Sequence, residues 1–254
     1  MAPAAAPEVM VCGSADNLAK RAAREFSRAA QKSAAARGRF RVALAGGSTP
    51  RAAYALLANA PLRQQVPWQQ TEVFWADERV VPPNDPASNY RMAHEMLLAH
   101  VPIPPDHIHR FRTELSPPDA IARQYEDELR ASFQCARPRF DLILLGMGED
   151  GHTASLFPHA AALGERNKLA LALYAAHLHT YRVTLTLPVL NEARLVIFLV
   201  SGRAKAETLR HVLRGERQFE RWPAQAVQPR QGRVVWLVDR DAAGLLHPGG
   251  DARG

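Results

Sequence analysis

The chain has 254 residues, of which 47% are hydrophobic, 22% charged and 7% aromatic, a balance that suits a globular protein and excludes a disordered or fibrous one. A formal net charge of +7 suits nucleic acid, an anionic membrane or a small anionic substrate. The cations at Arg21, Arg24, Arg28, Lys32, Arg37, Arg79, Arg91, Arg110 and Arg112 form no block and no aromatic-interleaved strand, which speaks against nucleic acid and for a phosphorylated metabolite.

Residues 1–7 are rich in alanine and proline, lack the features of a signal peptide and read as a flexible tail. Residues 14–37 carry Leu18, Ala22, Phe26 and Ala30 at helical spacing. Phe40-Arg41-Val42-Ala43-Leu44-Ala45 reads as a strand ending at Gly46-Gly47, with a helical run over 52–58 behind it. Thr71-Glu72-Val73-Phe74-Trp75-Ala76 is a second strand, and Ser88-Asn89-Tyr90 opens a further helical segment. His94, His100, His107 and His109 fall in a proline-rich stretch, read as surface residues, and make no metal set. Residues 116–133 place Ile121, Tyr125, Leu129 and Phe133 on one helical face, with Pro117 and Pro118 suited to the first turn. Asp141-Leu142-Ile143-Leu144-Leu145 is a solidly apolar strand after its aspartate. Arg182-Val183-Thr184-Leu185-Thr186-Leu187 alternates, and Leu195-Val196-Ile197-Phe198-Leu199-Val200 is again apolar. A helix over 202–213 and a strand at Val234-Val235-Trp236-Leu237-Val238 close the series.

Strands alternating with helices predict one α/β domain over 1–254, a mostly parallel sheet with helices on both faces. No stretch approaches the roughly 20 apolar residues needed to span a bilayer, so no membrane partner is expected. Cys12 and Cys135 are too few and too far apart for a disulfide framework, which fits a cytoplasmic location. Ligands of such sheets bind at the carboxyl ends of the strands. Three polar segments fall there: after Ala45, after Ala76 and after Leu145.

Gly46-Gly47-Ser48-Thr49-Pro50 can present free backbone N–H groups and two hydroxyls to a phosphate at a helix start. An ordinary strand-to-helix turn with a Ser/Thr cap is the plainer alternative. Trp75-Ala76-Asp77-Glu78-Arg79 ends in a charge cluster that is either a site or a solvated turn. The run from Gly146 to Gly151 matches G-x-G-x-x-G, but Glu149 and Asp150 would repel a pyrophosphate. Asp150, two residues before His152, can instead orient that ring or stabilise its charged form, making His152 a candidate general base. Arg182 and Lys205 are solvated charges by default; with the glycine-rich loop they could clamp one phosphate.

Taken in order, these motifs resemble the 6-phosphogluconolactonase family over nearly the whole chain. The matching segments are Ala45-Gly46-Gly47-Ser48-Thr49-Pro50, Trp75-x-Asp77-Glu78-Arg79-x-Val81-Pro82, Ser88-Asn89 and Gly146-x-Gly148-x-Asp150-Gly151-His152-Thr153-Ala154-Ser155-Leu156-Phe157-Pro158. Arg182-x-Thr184-Leu185-Thr186-Leu187-Pro188, Ser201-Gly202-x-x-Lys205, Pro223-Ala224 and Trp236-x-x-Asp239 complete the series. One departure is His179-Thr180-Tyr181, where members often carry prolines before the arginine matching Arg182.

The resemblance implies a fold shared with glucosamine-6-phosphate deaminase and ribose-5-phosphate isomerase. It implies hydrolysis of 6-phosphoglucono-δ-lactone to 6-phosphogluconate in the oxidative pentose phosphate pathway, without metal or cofactor. It makes His152 the base. It makes Gly46, Gly47, Ser48, Thr49, Arg182 and Lys205 the phosphate-holding groups, with Asp77 and Arg79 lining the same site. Two rivals are an amino-sugar phosphate deaminase or isomerase, and a non-catalytic sugar-phosphate sensor. The first usually reads His-Ile-Ala-Phe-Asn-Glu where this chain has His152-Thr-Ala-Ser-Leu-Phe157, so its ring-opening glutamate is absent. The second usually carries a DNA-binding domain, for which no segment is visible. Oligomeric state, monomer or homodimer, is not legible.

Overall fold

The computed structural model describes residues 8–246; the tail expected over 1–7 lies outside them. Nine strands and eight α-helices follow in chain order among the described residues. They are β1 (Glu8–Cys12), α1 (Ala15–Arg37), β2 (Phe40–Leu44), α2 (Ser48–Leu57), α3 (Leu62–Gln65), β3 (Thr71–Trp75), β4 (Asp77–Arg79), α4 (Asn89–Met96) and α5 (Pro118–Phe133). Then come β5 (Leu142–Leu145), β6 (Ala170–Ala175), β7 (Thr180–Leu185), α6 (Leu187–Leu190), β8 (Leu195–Val200), α7 (Ala206–Arg214), β9 (Arg233–Asp239) and α8 (Arg240–Ala243).

Six strands form one parallel sheet in the order β1-β9-β8-β5-β2-β3. Its central strands are buried on both faces, as their unbroken apolar runs predict: all four residues of β5 are buried. Asp141, just before β5, is also buried, and accepts from Arg37 Nη2 at 2.7 Å and from the Arg41 N–H at 2.9 Å. That partnership explains a carboxylate at the start of an apolar strand.

Helix α1 begins at Ser14, whose side chain accepts from the Asn17 N–H, and ends at Gly38 in the left-handed conformation. Its face of Leu18, Ala22, Phe26 and Ala30 is fully buried, as the spacing predicted. Burying a side chain such as Phe26 contributes about 1.5–3 kcal/mol. Helix α5 buries Ile121, Tyr125, Leu129 and Phe133 likewise. The Tyr125 hydroxyl donates to the Trp75 carbonyl and accepts from the Trp75 N–H, tying α5 to the end of β3.

Several expectations need correction. The alternating segment at 182–187 lies outside the parallel sheet: β7 is the centre of a separate antiparallel sheet, β4-β7-β6. Helix α2 starts at Ser48 and not at 52, and the stretch at 202–213 opens with a 3-10 turn over Arg203–Lys205. His109 is not a surface residue. Its Nδ1 lies 2.6 Å from Glu128, and its ring stacks on Phe74 at 4.4 Å.

The strand order reverses between β2 and β5, which pair in parallel while their connections lead to opposite edges of the sheet. That is the switch point where an open α/β sheet leaves a crevice beyond its strand ends. Backbone bonds from the Ala76 N–H to Leu44 and from the Leu185 N–H to Ala76 carry β3 into β4 and hang the small sheet over this crevice.

Candidate active site

A cleft of about 430 Å³ occupies the crevice. Of the ten residues singled out in the sequence, nine line it: Gly46, Gly47, Ser48, Thr49, Asp77, Arg79, His152, Arg182 and Lys205. Asp150 stands behind His152.

On one side is the start of α2. Gly47 occupies its N-cap position at φ 105°, and no side chain caps the first turn. The Ser/Thr cap offered as the plainer alternative is therefore not formed. The Ser48 and Thr49 N–H groups lead a positive helix end facing the cleft, an arrangement suited to an anion.

Facing it are the side chains of β4 and β7. The pairing sets Asp77 opposite Thr184 and Arg79 opposite Arg182. Strand alternation sends Asp77 and Arg79 to the cleft and turns Glu78 inward. Glu78 is buried and accepts from the Arg79, Asn89 and Tyr90 N–H groups at 2.7–2.8 Å, and from Ser88 Oγ at 3.1 Å. Burial pushes its carboxyl up, and the three backbone bonds pull the other way. It anchors the first turn of α4 under the cleft, a role the charge cluster in the sequence did not reveal. Glu78→Ala should leave these donors stranded and cost on the order of 3 kcal/mol, measurable by urea denaturation.

Two cations face each other on this sheet without an anion between them. Arg79 donates to the Ala87 carbonyl at 2.6 Å, whereas the buried Nε of Arg182 has no partner. Burial, then the charge of Arg79, pull the Arg182 guanidinium below its ordinary value. Like charges directly across an antiparallel pair are destabilising. Lys205 adds a third cation, with its Nζ 3.7 Å from the exposed Glu149.

At the other end, His152 Nδ1 lies 2.6 Å from Asp150 Oδ1, which also accepts the His152 N–H at 3.1 Å. That contact assigns the ring proton to Nδ1 and leaves Nε2 as an acceptor toward the cleft. Burial raises the Asp150 carboxyl, but the hydrogen bond and charge of His152 outweigh it and hold it below its usual value. The contact thus persists above the ordinary aspartate range and is lost only as pH falls through that lower value. No helix opens after Gly151, so the G-x-G-x-x-G run serves no dinucleotide. Its glycine at 148 serves the dyad instead: a Cβ there would stand 2.1 Å from His152 Nδ1 and 2.4 Å from Asp150 Oδ1. Gly148→Ala should therefore displace the ring and cut turnover by about 10²-fold, with the unfolding midpoint nearly unchanged.

Four contributors were not read as site residues from the sequence. Ser155 Oγ donates to Asp77 Oδ2 at 2.7 Å, and Asn89 Nδ2 donates to the Asp77 carbonyl at 2.9 Å. Phe157 packs on the His152 ring at 4.8 Å, and Leu178, between β6 and β7, lines the mouth. Among the described residues no group of three or more His, Cys, Asp or Glu side chains could hold a metal ion.

A family model described as glucosamine-6-phosphate isomerases/6-phosphogluconolactonase matches residues 13–236. The chain belongs to that family. It is 41% identical over 246 residues to a 6-phosphogluconolactonase of Synechocystis sp., covering 96% of this chain and 100% of the relative. Its structure is similar to that of 6-phosphogluconolactonase from Trypanosoma brucei, with a TM-score of 0.84 and 29% identity over 95% of this chain and 99% of the other. A monomeric glucosamine-6-phosphate deaminase matches with a TM-score of 0.78 and 24% identity over 94% of this chain and 99% of the other. That likeness places the expected fold beside the deaminase fold and says nothing of activity. The six-stranded parallel sheet with its helices agrees with the mostly parallel α/β sheet expected from the sequence.

Proposed function

We propose that the chain is a 6-phosphogluconolactonase, hydrolysing 6-phosphoglucono-δ-lactone to 6-phosphogluconate in the oxidative pentose phosphate pathway. One observation carries this reading: a carboxylate-oriented imidazole and an anion-receiving pole line the same cleft. The substrate phosphate docks on the Ser48 and Thr49 N–H groups, Arg182 and Lys205, and relieves the Arg79–Arg182 repulsion. The lactone carbonyl then lies toward His152. Nε2 takes a proton from water as the oxygen attacks the carbonyl carbon. Asp150 stabilises the imidazolium, and Arg79 steadies the developing oxyanion. When the ring C–O bond breaks, the imidazolium returns the proton to the departing ring oxygen. The product is an open-chain acid, and Asp77, fixed by Ser155 and Asn89, is placed to accept from a sugar hydroxyl.

The deaminase reading is weaker because Phe157 stands where that family's glutamate is expected, and it packs on His152 instead of reaching a substrate. A reducing compartment such as the cytoplasm suits the free thiols of Cys12 and Cys135.

The test generates the lactone in situ from glucose 6-phosphate and reads 6-phosphogluconate with a coupled dehydrogenase, subtracting spontaneous opening. The protein should accelerate product release many-fold and release no ammonia from glucosamine 6-phosphate. The opposite pair of results would replace the lactonase reading with the deaminase one.

A further inference from the structure

The motifs Ser201-Gly202-x-x-Lys205 and Trp236-x-x-Asp239 lie at the ends of neighbouring strands. Strands β8 and β9 run in parallel with Val200 opposite Val238, so Ser201 and Asp239 leave the sheet side by side. Asp239 is 3% exposed, yet it has no cation beside it among the described ion pairs. Its carboxylate instead accepts the Ser201 hydroxyl, the Gly202 N–H through both oxygens at 3.1 Å, and the Ala242 N–H at 2.8 Å. The last bond caps α8; the others bind the loop after β8. A buried carboxylate needs such donors to stay buried.

The loop so held is the one that delivers Lys205. Gly202 sits at φ 96°, a conformation that side-chain-bearing residues rarely adopt. Its carbonyl accepts the Lys205 N–H at 3.0 Å, closing the 3-10 turn Arg203–Lys205. Clamping Gly202 therefore fixes the backbone of Lys205 three residues further along. Lysine is a flexible stem carrying a point charge, so the placement of its base decides where that charge acts. The neighbouring carboxylate of Glu149 is exposed and 3.7 Å away, too weak a partner to do this.

The geometry points to Asp239 as a positioning residue that sets phosphate affinity through the Ser201–Gly202 loop and Lys205, without touching substrate. This rests on Lys205 holding the phosphate, as proposed above. Asp239→Asn is the informative variant. Asparagine still caps α8 with its oxygen, but it puts an NH₂ where the carboxylate accepted from Ser201 and from the Gly202 N–H, reversing the first bond and removing half of the second.

The experiment is a double-mutant cycle of Asp239→Asn and Lys205→Ala. It reads kcat and KM for the phosphorylated lactone, inhibition by inorganic phosphate, and the thermal midpoint. Asp239→Asn should raise KM and the phosphate inhibition constant about tenfold, below the hundredfold that a shift near 1 Å can cost, with kcat unchanged. In the Lys205→Ala background the same change should have no further effect on either constant. Ser201→Ala, which removes one donor and leaves the carboxylate in place, should raise KM by a smaller factor and covers the case in which Asp239→Asn does not fold. Unchanged constants in Asp239→Asn, an equal loss with Lys205 already removed, or a fall in kcat alone would overturn the clamp. A Lys205→Ala protein with normal KM would instead overturn the phosphate role of Lys205, and the clamp with it.

Discussion

Removing the imidazole at His152 is expected to lower kcat for the phosphorylated lactone by about 10²–10⁴-fold, the range a positioned acid–base group supplies. His152→Ala should still fold and still bind 6-phosphogluconate, because the ring is partly exposed and its packing partner Phe157 is itself buried. Asp150→Asn should give a smaller loss, since the ring keeps its place but loses the charge that stabilises imidazolium. Stopped assays with product binding measured by calorimetry check both variants. Near-normal turnover in His152→Ala would remove the base from the mechanism. Loss of product binding alongside turnover would turn the residue into a binding group.

The second large effect is expected at Arg182, where function and stability should move in opposite directions. Arg182→Met keeps the aliphatic stem and deletes the charge that faces Arg79 across the β4–β7 pair. Losing a charge-assisted contact worth about 1.5–3 kcal/mol should raise KM by roughly 10- to 100-fold with little change in kcat. In the free protein the variant loses a repulsion and an unpartnered buried Nε. Its unfolding midpoint should therefore stay level or rise, while added inorganic phosphate should stabilise it less than the parent. A lowered midpoint with unchanged KM would make Arg182 a structural residue.

The parallel sheet was legible because its central strands are apolar runs with no other use, such as Leu142–Leu145 and Leu195–Val200. The small antiparallel sheet was not. Strand β4 is three charged residues, and β6 is an alanine-rich run without strong alternation. The pairing of β4 with β7 joins segments about a hundred positions apart, whereas β6 and β7 are consecutive in the chain. Strand β1 was missed because its edge position leaves Val9 and Val11 exposed, so no buried pattern marks it. The start of α2 was placed four residues late because the apolar run begins only at Ala52, whereas Ser48 and Thr49, which lead the helix, carry no apolar periodicity.

In the site, the ordered motifs brought out residues whose side chains or backbone face the cleft. Apart from Asp150, residues that hold them from behind stayed hidden. Glu78 looked like its charged neighbours until strand alternation turned it inward onto α4. Ser155 and Asn89 carry no local signal of their bonds to Asp77, because those contacts are made across the fold. Gly148 was seen as part of a glycine pattern, but its reason is the close approach of the His152–Asp150 pair.

The decisive measurement follows acid release in a pH-stat from two lactones that share the ring and differ in the phosphate, 6-phosphoglucono-δ-lactone and glucono-δ-lactone, each corrected for spontaneous opening. The protein should accelerate the phosphorylated lactone strongly and the plain one weakly if, as proposed, the cationic pole and α2 that line the cleft hold the ring through its phosphate. Equal acceleration of both, or of neither, would contradict a base that acts on a lactone anchored by its distant phosphate.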